Sequence, residues 1–284
     1  MGENTTTVAG PRGSAPLTLR ARKPGYGVMQ RCLEIQAESP RRSAWERFRG
    51  VDVLRPEARS WFKGALGERE VAAVLDALGP AFTVLHAVPI GAGATDIDHV
   101  VVGPTGVFSI NTKNHADQKV WVGGRTLMVN GQRTPHMHRA VAEGERATRL
   151  LSAAAGTPIL VQPLLVVASA SLRFGKKTPA VVTLRPGELG RWITGLPVAH
   201  SDEAVRFLSM IAEERGTWHV DAVVVNDTLR HVHRFERLER EIAEADHRRR
   251  FFRRAVAVAV LAVPAGGLLG YWWAMAIGAL GGAG

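Results

Sequence analysis

The sequence predicts an α/β fold that continues into a C-terminal charged helix and a single transmembrane helix. Three observations carry this expectation. Apolar runs of strand length at 82–88, 97–102, 107–110 and 159–167 alternate with segments of helical period. A charged segment over 228–247 keeps a narrow apolar stripe. The last 26 residues before Gly281, 255–280, contain no charged side chain.

The chain has 284 residues with 46 % apolar side chains, enough to bury a real core. Its net charge of +10 is uneven. Residues 1–60 hold 11 basic and 6 acidic side chains, residues 61–225 hold 16 and 14, and residues 226–254 hold 9 and 6. The centre is nearly neutral, which excludes the simplest basic nucleic-acid-binding domain, whose charge would lie on the folded face. A single cysteine, Cys32, excludes an intramolecular disulfide framework and an all-cysteine zinc cage. Four regions follow: a basic N-terminal arm over 1–55, a folded domain over 56–225, a charged helix over 226–254 and a span over 255–280.

The arm is rich in Arg, Ser, Gly, Pro and Ala and is expected to be disordered to about Pro40, with a short helix through Trp45 and Phe48 after it. Val71, Val74, Leu75 and Leu78 fall on one helical face, and Gly79-Pro80 closes that helix. Strands 82–88, 97–102 and 107–110 come next, then 120–122 and 127–129 flanking Gly123-Gly124, a hairpin signal. Residues 138–155 read as a helix presenting Val141, Ala147, Leu150, Leu151 and Ala154. The strand at 159–167 contains Pro163, which marks an edge or a bulge. Further strands are expected at 181–184 and 220–225, with Ser201 capping a helix between them. The stripe Val232, Phe235, Leu238, Ile242 and Ala245 suits either a self-association seam or packing on its own domain.

A 26-residue apolar helix exceeds the ~20 residues needed to cross a bilayer. Arg248, Arg249, Arg250, Arg253 and Arg254 precede it, which places the soluble part in the cytoplasm and offers attraction for anionic lipid. The N-terminus shows no apolar stretch of the secretory kind.

The chemistry concentrates in the hairpin 96–113. If Pro104 and Thr105 form its loop, Asp98 faces Asn111 and Asp96 faces Lys113, all on one side. Two carboxylates, an amide and an ammonium then converge, a set suited to Mg²⁺ or Mn²⁺. A lysine there can orient or deprotonate a water, or stabilise charge on a phosphoryl group. Glu68, three residues before Val71 and seven before Leu75, lies on the core-facing side of its helix, unlike Glu70.

Gly67-Glu68-Arg69-Glu70-Val71-Ala72, Val84-Leu85-His86, Val88-Pro89-Ile90, the run Ile97-Asp98-His99 through Val107-Phe108, and Thr112-Lys113-Asn114 resemble the NERD or nuclease-related domain, over about residues 64–170. That family is assigned to the PD-(D/E)xK, restriction-endonuclease-like superfamily. The resemblance implies an αβββαβ core and a metal-dependent phosphodiesterase site. On it, Asp98 is the central metal ligand, Lys113 the catalytic lysine and Glu68 the first-helix acid. The chain departs from the pattern at Asn111, where an acid is expected; Asp96 is close enough to compensate.

Elsewhere the signals are weaker. Gly91-Ala92-Gly93-Ala94 lacks the lysine and hydroxyl of a phosphate loop and reads as a connection. His136 with His138, and His231 with His233, read as surface pairs, and His115 as a loop residue within reach of a phosphate. Gln162 reads as an edge residue near the site. Trp61, Trp121, Trp192 and Trp218 are expected to fill cores. The functions that follow are a membrane-anchored nuclease acting on DNA or RNA, an inactive nuclease-fold module that binds nucleic acid or a protein at the membrane, or a scaffold built on the charged helix and anchor.

Overall fold

A computed structural model describes residues 18–40, 42–90, 96–218 and 228–280, with the side chains of residues 170, 228, 259 and 261–280 outside that description. The chain divides into two compact units. One comprises the chain up to Cys32 together with Ser60–His231; the other comprises Leu33–Arg59 and the chain from Val232 onward.

In the first unit, helix α3 (Arg59–Asp76) buries Phe62, Ala65, Glu68, Val71, Ala72 and Leu75, one stripe at helical spacing. Gly79 takes the left-handed conformation just past its end. Strands β1 (Thr83–Pro89), β2 (Asp96–Gly103) and β3 (Gly106–Gly123) then run antiparallel, and β4 (Thr126–Val129) and β5 (Gln132–Thr134) extend the sheet. After helix α4 (His136–Ala155), strand β6 (Val161–Phe174) returns parallel to β3, and β7 (Val182–Leu184) lies parallel to β6. Helices α5 (Pro186–Thr194), α6 (Asp202–Glu213) and α7 (Arg215–Trp218) complete the unit. The result is a mixed α/β sheet of seven strands whose first six large elements are a helix, three antiparallel strands, a helix and a parallel strand, apart from the small β4–β5 hairpin.

Two apolar layers sandwich the sheet. Val71 and Leu75 of α3 and Leu189 and Ile193 of α5 pack with Val101, Phe108, Ile110, Leu164 and Val166. Ala147 and Leu151 of α4 and Leu208, Ile211 and Ala212 of α6 pack with Ile97, Val100, Val102, Val107 and Val161. Ser201 caps α6 by accepting from the Ala204 N–H, as its sequence position predicts.

Several expectations change. The segments 107–110 and 120–122 are one strand of 18 residues, because β6 runs beside both halves, with a register shift between His115 and Lys119. Pro163 falls one residue before β7 begins to pair, where β6 has β3 alone as a neighbour strand and a missing N–H is tolerated. Helix α4 starts earlier than predicted, and its buried stripe is Met137, Ala140, Gly144, Ala147 and Leu151, while Ala154 is exposed. Trp218 is buried and donates to the Ala212 carbonyl, but Trp61 and Trp121 are each more than a third exposed rather than core-filling. The strand predicted at 220–225 and the connection at 91–94 lie outside the described residues.

The expected disorder up to Pro40 is also corrected. Tyr26–Ala37 form helix α1, with Tyr26, Met29, Cys32 and Leu33 buried. That stripe is genuinely helical, but flanking Arg, Lys, Gly and Pro dilute it below the level at which composition reveals it.

In the second unit, helix α2 (Ala44–Arg49) opens with a capping box between Ser43 and Glu46. Helix α8 spans Thr228–Leu280 without interruption. Its stripe residues Phe235, Leu238 and Ala245 are buried within the chain, while Val232 and Ile242 are half-buried. Among the described residues no helix is long and apolar enough to cross a membrane, and the apolar side chains of 261–280 lie outside them.

Candidate active site

The β2–β3 hairpin has the register its turn chemistry predicts: Gly103↔Gly106, Val102↔Val107, and so on to His99↔Ile110. The ladder stops there. The expected direct pairs Asp98–Asn111 and Asp96–Lys113 do not form. Instead the Asp98 carboxylate accepts the Thr112 backbone N–H at 2.6 Å, replacing a rung of the sheet with a charge-assisted hydrogen bond. This places a half-buried carboxylate at the open end of the hairpin.

Glu68 reaches the same place from α3. It is 6 % exposed, while Glu70 two residues on is exposed, as the helical spacing requires. Close packing of α3 on β3 brings it there: a Cβ on Gly67 would lie 2.9 Å from Asn114 Cβ, and Asn114 donates to the Lys63 carbonyl at 2.9 Å. Burial raises the Glu68 carboxyl well above its ordinary range; Asp98 raises it further, Lys113 opposes this, and a hydrogen bond from the Gly25 backbone opposes it less. Asp98 is likewise raised by burial, against the Lys113 charge and its Thr112 hydrogen bond. Lys113 is partly buried and donates to the Thr112 carbonyl at 3.0 Å.

Asp96 stands slightly apart. It pairs with Arg22 at 3.1 Å, and burial outweighs that pairing and pushes its carboxyl up to about 6. Gly25 and Arg22 therefore make this part of the N-terminal arm a component of the site, where composition predicted disorder.

Asn111 is buried, and its Nδ2 donates to Glu143 Oε2 of α4 at 2.8 Å. Its Oδ1 is buried with no hydrogen-bond partner among the described residues. Glu143 is a site residue that the sequence reading missed. Its carboxyl is raised by burial, opposed by the Asn111 hydrogen bond, with the Asp98 and Lys113 charges also felt. The available signal was its neighbour: Gly144 belongs to the small-residue stripe of α4, and a Cβ there would lie 2.9 Å from Pro163 of β6. That close approach brings Glu143 over Asn111.

His115 and His136 also meet, with Nε2 atoms 3.3 Å apart, so His136 is not a surface partner of His138. His115 Nδ1 lies 2.8 Å from Gln118 Oε1. Burial, with Lys113 nearby, holds His136 down at about 4. Gln162 pairs with Phe108, three rungs from Asn111, and is not brought to the cluster. On the alternate residue of β2, His99 is buried against His86, with Nδ1 atoms 2.9 Å apart, and burial keeps it neutral.

The arrangement thus gathers Glu68, Asp98, Glu143, Lys113 and Asn111, with Asp96 at its margin. Among the described residues no three His, Cys, Asp or Glu side chains stand in a ready-made metal cage. The donor set nevertheless fits a hard cation: clustered carboxylates whose ionised forms are disfavoured by burial and by one another, and a buried amide oxygen with an unfilled acceptor.

A helix, three antiparallel strands, a helix and a parallel strand, with acids and a lysine at the open end of the central hairpin, follow the order that the resemblance implies. Residues 63–168 match the model of the family described as NERD, nuclease-related domain. No curated protein and no solved structure matches the chain.

Proposed function

We propose that the domain is a restriction-endonuclease-like, PD-(D/E)xK-type hydrolase that cleaves nucleic-acid phosphodiesters with Mg²⁺ or Mn²⁺. The observation that carries this reading is the unpartnered Asn111 Oδ1 beside Asp98. A buried acceptor left empty costs about 1–3 kcal/mol, and a cation or its water would relieve that cost together with the repulsion among the carboxylates. Asp98 and Asn111 would hold the ion, and Asp96, committed to Arg22, is the weaker candidate. When bound, the ion would neutralise charge on the phosphate and polarise it. Lys113 orients the attacking water and meets the charge developing on the phosphoryl oxygens. Glu68, whose carboxyl is raised by burial and is therefore more basic than an exposed carboxylate, is suited to accept the water's proton. Glu143 orients Asn111 so that Oδ1 faces the cluster.

The membrane reading belongs to the same proposal. The uncharged run 255–280 and the five arginines before it support a single-pass anchor with the domain in the cytoplasm. One feature favours a second reading, a nucleic-acid-binding or protein-binding module without turnover: Asn111 stands where the family pattern has an acid, which removes one negative charge from the ion's shell.

Because Arg22 and Gly25 hold site residues, the test uses the full chain in detergent. Supercoiled plasmid, linear duplex, single-stranded DNA and RNA are incubated with Mg²⁺ or Mn²⁺, beside Lys113→Ala and Asp98→Ala. Metal-dependent cleavage that falls ~10²–10⁴-fold in both variants is expected. Nucleic-acid binding without cleavage by the parent would select the binding module instead.

A further inference from the structure

The second unit carries a group of exposed aromatics in an unusual setting. Trp45 is 63 % exposed, Phe48 55 % and Phe251 64 %. They form one surface: Trp45 stacks on Phe48 with ring centroids 5.7 Å apart, Phe48 meets Phe252 edge-on at 5.0 Å, and Phe252 meets Phe251 at 6.0 Å. Val256, Val258 and Val260 continue the exposed apolar surface along α8. Isolated exposed apolar residues are ordinary; a contiguous patch of large aromatics calls for a partner.

The mounting of α2 is specific. Its C-cap Gly50 adopts φ +69, and a Cβ there would lie 2.3 Å from the Ala245 carbonyl, so only glycine permits this approach to α8. Arg248 donates to the Arg47 carbonyl and Arg249 to the Gly50 carbonyl, each at 3.1 Å, capping the last turn of α2 from the other helix. The short helix is thereby fixed at one level along α8. That level is the start of the uncharged run: Phe252 lies three residues before Ala255, about 4.5 Å along a helix axis.

Charge surrounds the patch. Arg49 lies over the Trp45 ring at 5.8 Å, and Arg250, Arg253 and Arg254 are exposed on the same stretch of α8 as Phe251 and Phe252. Aromatic rings with arginines at the end of an apolar run are the composition of a bilayer interface, where amphipathic rings sit at headgroup depth and cations meet anionic lipid.

We propose that α2 is an interfacial foot: Trp45 and Phe48, with Phe251 and Phe252, insert at the headgroup level of an anionic phospholipid leaflet. This rests on the anchor reading and adds to it a second contact that fixes the rotation and height of α8 in the membrane. The occupant is the bilayer because the patch is continuous with the apolar run and Arg49, Arg250, Arg253 and Arg254 stand beside it.

The test uses the full chain reconstituted in vesicles containing phosphatidylglycerol. Phe48→Cys carries a polarity-sensitive fluorophore, and Val258→Cys carries the same probe in a parallel sample. The native Cys32 is buried, and the parent chain serves as the labelling control. The expected result is quenching of the probe at position 48 by nitroxides at headgroup depth, roughly twofold or more stronger than in phosphatidylcholine vesicles. A probe at 258 in the bilayer with the probe at 48 in water would overturn the foot and leave the anchor standing. Both probes in water would overturn the anchor and the foot together. Near-UV circular dichroism matching the parent shows that each labelled chain remains folded.

Discussion

The two ends of the β2–β3 hairpin are built from the same two strands and behave oppositely. At the turn end, Val101↔Phe108 and Val102↔Val107 complete the ladder, and Phe108 is fully buried between the sheet and α5, edge-on to Trp192. At the open end the ladder stops at His99↔Ile110, and buried polar groups take over. One end contributes stability. The other holds carboxylates whose charge is disfavoured and an amide oxygen with no partner. Local instability of this kind is expected where a site is organised for a ligand that the folded chain alone does not supply.

The largest effect that would break this contrast lies at the stable end. Phe108→Ala should cost about 3–5 kcal/mol, read as a lower urea midpoint at unchanged slope, because a large buried ring leaves a cavity the sheet cannot close. A cost below ~1 kcal/mol would mean that the turn end is not the keystone of that layer.

At the open end, Glu143→Ala should weaken Mn²⁺ binding by ~10–100-fold in calorimetric titration, the usual effect of losing a group that orients a ligand. Unchanged binding would detach Glu143 from the cation. Asn111→Asp should act in the opposite direction, tightening Mn²⁺ by about tenfold through an added negative ligand. If that variant binds no better than the parent, position 111 is not a ligand.

The smallest effect is in pH dependence. The Glu68 carboxyl is raised in the folded chain, so above its unfolded value of about 4.3 the folded state holds a proton that the unfolded state has lost. This group's contribution therefore makes stability fall as pH rises from there through the raised value. Glu68→Gln removes the effect. The variant's melting temperature relative to the parent should rise from pH 4.5 to pH 8 in the absence of divalent ions, and Mn²⁺ should narrow the gap at pH 8. A relative melting temperature that falls with pH would show that Glu68 is stabilised as a carboxylate.

Much of this was legible because it depends on local rules. Apolar runs of strand length gave the strands, Gly103-Pro104-Thr105-Gly106 gave the hairpin register, and the three-residue and seven-residue spacing of Glu68 to Val71 and Leu75 gave its inward direction. Register and helical phase are properties of neighbours in the chain, so Asp98 and Lys113 fell in one region and Glu68 turned inward, while the resemblance to the NERD family joined Glu68 to them.

What tertiary structure alone decided are meetings between distant segments. Glu143 reaches Asn111 across 32 residues because Gly144 lets α4 lie on Pro163. Arg22 and Gly25 enter the site from an arm whose composition masked its helix. The helical stripe of 228–247 was readable, but not that Phe235, Leu238 and Ala245 are buried within the chain itself. The physical reason is the same in each case. Periodicity records which face of an element is apolar, whereas the identity of what covers that face depends on close approaches, at Gly67, Gly144 and Gly50, that no local pattern encodes.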